Sequence, residues 1–231
     1  PIPLRDDDEK HEDIEKQFVD IGAADEHEAR ELVSVGDPAT VTGRTRDLAG
    51  DRVAARGMDN RVGIWVAAET LRRAAARDVD ATVYAVSTVQ EEVGLKGAQM
   101  VGYDLDPDAV VAVDVTHAAD NPAYPSKKHS SVALGDGPVV TRGSSNHPAL
   151  VDSARSTGDE VQMRAAGSRT GTDTDAFYVQ RGGVPSLSLG IPNRYMHTPV
   201  EVVALSDLDA AAELCAAMAA DASDRTFAVD L

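Results

Sequence analysis

Four carboxylates and one histidine of this 231-residue chain stand where chemistry would need them. Asp59 closes the run from Arg52 to Met58, and Glu91 and Glu92 close the run ending Val89-Gln90. Asp114 lies near the end of Val110 to Val115, and His197 follows Val184 to Ile191 by a short loop. Carboxylate oxygen and imidazole nitrogen are the donors of divalent-metal sites, and a carboxylate beside an activated water is a ready general base. Singly, most of them have plainer readings. Asp59 before a helical pattern serves as an N-cap, adjacent glutamates sit solvated at a strand end, and a lone loop histidine finds an ordinary partner. Asp114 resists such a reading, because a carboxylate inside Val-Val-Ala-Val-Asp-Val is costly to bury unless it is paired or bound to metal.

The elements that must position these residues are read from periodicity. From Met58 onward apolar strand runs alternate with helical patterns, the mark of an α/β layer fold with helices on both faces of a sheet. The first helix follows Asp59-Asn60, with an apolar stripe of Ile64, Ala67, Ala68, Leu71, Ala74 and Ala75 and with Arg72, Arg73 and Arg77 toward its dipole-favoured end. Strands are expected at Ala81 to Gln90, at Ala109 to Val115 (nearly all apolar, hence buried on both faces) and at Val184 to Ile191. Asn146 is placed to cap a helix running toward Ala154. A last helix starts at Ser206 with Asp209 completing a capping box, and it buries Leu208, Ala211, Cys215 and Met218. In an open α/β sheet, strand ends define the ligand crevice, so separate segments deliver oxygen and nitrogen donors to one edge. Residues 1–55 differ. They are polar and acidic, with β-type pieces at Phe18 to Ile21 and Arg52 to Ala55, and read as part of a small β-rich module, leaving 56–231 as the main domain.

Composition excludes several classes. With 39 acidic against 22 basic side chains the net charge is −17, which opposes both nucleic acid and anionic membrane as partners. Lysine occurs only at positions 10, 16, 96, 127 and 128, and the Asp- and Ala-rich, Lys-poor surface resembles proteins of extreme halophiles, whose dense carboxylates keep them hydrated in molar salt. A single cysteine, Cys215, rules out an internal disulfide framework. No run reaches the roughly 18 apolar residues of a membrane span and the first residues lack signal-peptide character, so a cytoplasmic location is expected.

Five segments carry a resemblance. Asp59-Asn60-Arg61-Val62-Gly63, Gln90-Glu91-Glu92-Val93-Gly94-Leu95-Lys96-Gly97-Ala98, Asp114-Val115-Thr116-His117-Ala118, Gly171-Thr172-Asp173 and Arg194-Tyr195-Met196-His197-Thr198-Pro199-Val200-Glu201 stand in the order found in the tetrahedral (TET) aminopeptidases. The sequence resembles these dinuclear metallo-exopeptidases, which include glutamyl and leucyl aminopeptidases and some members labelled endoglucanases, from about Phe18 onward. The resemblance implies a mixed-sheet catalytic domain in which Asp59 bridges two divalent ions, Glu92 and His197 complete one site, Asp114 binds the other ion, and Glu91 is the general base. Zn²⁺ suits that donor set best, with Co²⁺ or Mn²⁺ open. It further implies peptide substrates and a homo-oligomer, a dodecamer in the family. Gly171, Thr172 and Asp173 would shape a substrate loop, although the glycine equally serves a tight turn. Arg194 either meets a substrate carboxylate or pairs with an acidic neighbour. His117 is read as supporting or structural, and His147 as a surface residue.

One departure matters. The family takes a second imidazole from a His-x-Asp motif on a strand preceding the small module; the His-x-Asp spacing of His11-Glu12-Asp13 lies in a charged, helix-like stretch and does not fit that strand motif. His11 and His27 lie in charged, helix-like stretches and read as solvated. If the chain is complete, the expectation is one firmly held metal, a weak or absent second metal and little peptidase activity; if it is a piece lacking its N-terminal portion, the full-length parent is expected to be a competent enzyme. Within enzymes the alternative is a related dinuclear deacylase or amidohydrolase, and outside them a catalytically inactive assembly subunit.

Overall fold

The computed structural model describes residues 15, 19–40, 42–121, 131–158 and 161–227. The chain divides into two units, Pro1–Thr42 and Gly43–Leu231. In the first, helix α1 (Glu26–Leu32) is capped by Asp25, whose carboxylate accepts the Glu28 N–H at 2.9 Å, while Glu28 accepts the Ala24 N–H at 2.8 Å. None of its residues is buried. His27 is exposed beside Glu31 at 3.7 Å, and His11 lies outside the described residues. So does Phe18, and residues 19–21 form no strand.

The second unit holds two sheets. β1 (Arg46–Asp47), β2 (Arg52–Ala55) and β7 (Glu201–Ala204) form an antiparallel ribbon in that order. Its register runs from Arg52 opposite Ala204 to Ala55 opposite Glu201. Arg52–Ala55 does form the expected strand, but it is tied by hydrogen bonds to the far end of the chain and belongs with the larger unit. The main sheet runs β3 (Val110–His117), β6 (Ser186–Asn193), β4 (Val139–Arg142), β5 (Gln162–Ala165). β3 and β6 are parallel, as are β4 and β5, while β6 and β4 are antiparallel, giving a mixed sheet.

Helices cover both faces, as expected. Leu187, Leu189 and Ile191 of β6 pack with α2 (Met58–Ala74), α4 (Pro148–Thr157) and α6 (Leu205–Ala220) through Val62, Val66, Leu150, Leu208 and Ala211. On the other face α3 (Lys96–Leu105) and α5 (Thr174–Phe177) bring Ala98, Ala176 and Phe177 against Val110. No described helix is long and apolar enough to cross a membrane.

Several expectations are revised by tertiary contacts. Residues 81–90 join no ladder among the described residues, and Tyr84 and Val89 are exposed. β-Branched composition favours an extended backbone, but only a hydrogen-bonding partner makes it a strand. In β3 the Asp114 to Thr116 stretch is buried, while Val110 to Val113 are only half-buried. α2 buries Val62, Val66 and Ala74, leaving Ile64 and Leu71 exposed, because its rotation is set elsewhere. Gly63 faces β3 so closely that a Cβ would sit 2.6 Å from the Val113 carbonyl oxygen, and periodicity cannot choose between two apolar faces. Asn146 accepts the Ser188 N–H at 2.6 Å instead of capping α4, which begins with Pro148. α6 also lacks the expected capping box. Asp51, in the β1–β2 turn, accepts the Ser206 N–H at 3.0 Å, and the buried Asp207 turns away to accept the N–H groups of Gly135 and Gly137, each at 2.9 Å. The expected stripe of Leu208, Ala211, Cys215 and Met218 is buried.

Candidate metal centre

The β2–β7 register fixes the first donors. β2 ends four residues before Asp59 and β7 begins four residues after His197, so pairing Ala55 with Glu201 brings the two side by side. Asp59 and Asn60 depart from helical geometry at the start of α2. Asn60 secures that start by donating from Nδ2 to the Val113 carbonyl at 2.8 Å and accepting the Gly63 N–H at 2.9 Å. The bonds tie Asp59 to β3, where Asp114 is the next residue after Val113. Glu91 and Glu92 follow Gln90, whose φ of 61° turns the backbone sharply. Tyr195 and His197 are also left-handed, at 61° and 62°. For residues other than glycine such conformations cost about 1–3 kcal/mol each and cluster at functional sites.

Oxygen atoms of Asp59 and Glu92 and a ring nitrogen of His197 all lie within 4.8 Å of one another. His197 Nε2 is 3.0 Å from Asp59 Oδ2 and 3.6 Å from Glu92 Oε1. Two carboxylates and an imidazole converging from three segments fit a divalent cation by donor chemistry and by charge. The surrounding electrostatics point the same way. Burial, then the Glu92 carboxylate, push Asp59 up to about 6. Burial, then Glu92 and Asp173, push Glu91 up to about 7. Asp114 is driven up to about 8 by burial, although its bond from the Val115 N–H at 2.8 Å opposes the shift, and Asp59, Glu91 and Asp173 add to it. Carboxylates crowded so that their charge is disfavoured are the arrangement a cation relieves.

Asp59, Glu92 and His197 are therefore brought together, while Glu91, Asp114 and Asp173 are near enough for their charges to act on one another and on Asp59. The two sides of the cluster are unequal. Around Asp114, among the described residues, no imidazole joins a second ligand group. The remaining predicted residues divide. Gly171 is exposed at φ 73°, and its N–H and that of Thr170 bond Asp175, so the loop is a tight turn. Thr172 is buried, its hydroxyl accepting the Thr174 N–H at 3.2 Å. Arg194 is held by Asp120 through two bonds of 2.7 and 2.6 Å, which occupies the guanidinium with an acidic neighbour, the second of its two readings. His117 lies exposed at the end of β3, and His147 precedes α4.

Sequence reasoning gave no role to Glu201, Asn60 or Thr88. Thr88 Oγ1 donates to Asp173 Oδ2 at 2.5 Å, and Glu201 accepts the Asp59 and His197 N–H groups. A signal for Glu201 was present. An acidic residue heading the apolar run Val202-Val203-Ala204 poses the same burial problem as Asp114.

With that geometry in hand, the comparisons with known proteins agree. The sequence model described as M42 glutamyl aminopeptidase matches residues 3–214. A putative aminopeptidase of Acetivibrio thermocellus is 35% identical over 215 residues, covering 90% of this chain and 63% of the relative. An aminopeptidase from the archaeon Desulfurococcus kamchatkensis has a solved structure that superposes with a TM-score of 0.85 at 32% identity, over 93% of this chain and 62% of that one. A Pyrococcus horikoshii TET1 peptidase, described as assembling into a tetrahedron or a large octahedral shell, superposes at 0.69 with 31% identity, over 87% and 59%. The chain thus spans about three-fifths of the length of these proteins.

Proposed function

The chain belongs to the M42 glutamyl aminopeptidase family, and from that premise we propose that the protein it represents is a metal-dependent aminopeptidase releasing N-terminal residues from peptides. The observation that carries the reading is the convergence of Asp59, Glu92 and His197 within 4.8 Å, with Glu91 adjoining Glu92. Asp59, Glu92 and His197 would hold a divalent ion, Zn²⁺ by donor type with Co²⁺ or Mn²⁺ as alternatives. Such an ion supplies Lewis acidity toward the scissile carbonyl and lowers the pKa of a nearby water. Glu91 takes a proton from the attacking water and returns it to the leaving amine. Without an ion, burial and then the Glu92 carboxylate hold its carboxyl above the ordinary range, at about 7, and a bound cation would lower it toward the ionised form that a base needs. Asp114 and Asp59 offer carboxylates to a second ion, and the imidazole that the family adds there is not among the described residues.

The protein that this chain represents, carrying the family's second imidazole and supplied with Zn²⁺, Co²⁺ or Mn²⁺, is expected to cleave amino-acid p-nitroanilides, with Glu91→Gln lowering kcat by about 10²–10⁴. Turnover of N-acyl amino acids alone would favour the deacylase reading. Metal binding without turnover of either class would favour the inactive assembly subunit. We extend the proposal to assembly into a large homo-oligomer, to a cytoplasmic setting and to a requirement for molar salt. The last rests on the −17 charge, and undiminished melting temperature in dilute buffer would sink it.

A further inference from the structure

Glu201 is 1% exposed, yet among the described residues no cation is bonded to it. A carboxylate in that position is costly unless its oxygens are satisfied. Its partners are two backbone groups. Oε1 accepts the His197 N–H at 2.9 Å and Oε2 accepts the Asp59 N–H at 3.2 Å. Those residues are 138 positions apart in sequence and flank the same end of the β2–β7 ribbon, where Ala55 pairs with Glu201. The His197 backbone is left-handed, a conformation that for histidine needs outside support, and the bond to Glu201 supplies it. Asp59 likewise departs from helical geometry at the point where its N–H meets Glu201.

We propose that Glu201 is a positioning residue of the metal centre. One buried carboxylate clamps the backbones of two ligands and holds Asp59 Oδ2 and His197 Nε2 at a separation a single ion can bridge. The inference rests on the preceding section only in taking Asp59 and His197 as metal ligands. Its negative charge also lies close to Asp59, adding to the attraction for a cation. A carboxylate is required because both acceptor oxygens are used, and a glutamine would turn its amide N–H₂ toward one of the two donors.

The test is Zn²⁺ titration by calorimetry of wild type, Glu201→Gln and Val203→Ala. Val203 is fully buried in the same strand and pairs with Val53, so its truncation loosens β7 without removing the Glu201 carboxylate. Glu201→Gln is expected to weaken Zn²⁺ about ten- to a hundredfold, the usual effect of removing a group that orients ligands, while Val203→Ala stays within about twofold of wild type. Equal loss in both variants, or no loss in Glu201→Gln, would overturn the inference. Failure of wild type to bind Zn²⁺ at all would instead overturn the metal-site reading. A measurement needing no variant accompanies it: amide exchange at Asp59 and His197 is expected to be slow, and rapid exchange at both would also defeat the proposal.

Discussion

Asp207 at the start of α6 and Asp114 near the end of β3 are both buried carboxylates, and they are buried for opposite reasons. Asp207 meets donors. Each of its oxygens accepts a backbone N–H from Gly135 or Gly137, and burial still pushes it up to about 6. Among the described residues Asp114 accepts a single N–H, from its own neighbour Val115, and burial, with the charges of Asp59, Glu91 and Asp173 adding to it, drives it to about 8. The contrast teaches how to separate a structural acid from a functional one. A buried carboxylate surrounded by N–H groups holds a loop to a helix, while one surrounded by other carboxylates needs a cation from outside.

The largest effect expected from this contrast is on removing the structural acid. Asp207→Ala leaves the Gly135 and Gly137 N–H groups without their acceptor and should destabilise the fold by about 2–5 kcal/mol, equally with and without metal. Thermal melts in EDTA and in Zn²⁺ measure this, and a loss appearing only with metal would break the comparison. Asp114→Asn should behave in the opposite sense. The amide oxygen keeps the Val115 bond and the disfavoured charge disappears, so the metal-free protein near pH 7.5 should melt higher by roughly 5 °C. A lower melting temperature in EDTA would show that the crowded charge is not the dominant cost.

A smaller effect, and the one that sharpens the contrast, is the pH profile. Both acids have folded values above the ordinary carboxylate value of 3.8. Their contribution to stability is therefore fully present below about pH 4. It is lost as the pH rises, through about 6 for Asp207 and about 8 for Asp114. Metal-free protein should lose stability between pH 6 and 8, and Asp114→Asn should flatten that slope while Asp207→Ala does not. Excess Zn²⁺ should reverse it, because the ion competes with protons for the same oxygens.

Much of the centre was legible from residue type alone. Asp114 announced itself by standing inside an apolar run, and Asp59, Glu91, Glu92 and His197 by closing segments at one edge. The secondary structure was readable wherever one apolar face was available, as in α6, and failed where two competed, as in α2. It also failed at residues 81–90, which join no ladder among the described residues, and at Ser206, whose cap comes from Asp51 in the β1–β2 turn. Hydrogen bonds between distant segments leave no local signature.

What the sequence by itself determined is the family and the candidate donors, since both rest on residue types and their order. Only the tertiary structure decided which donors meet. Pairing of Ala55 with Glu201 joins segments more than a hundred residues apart, and the buried Glu201 carboxylate draws the two ligand backbones to one point. Order along the chain carries chemistry, but the distances between donors arise from strand register and packing, which no single segment encodes.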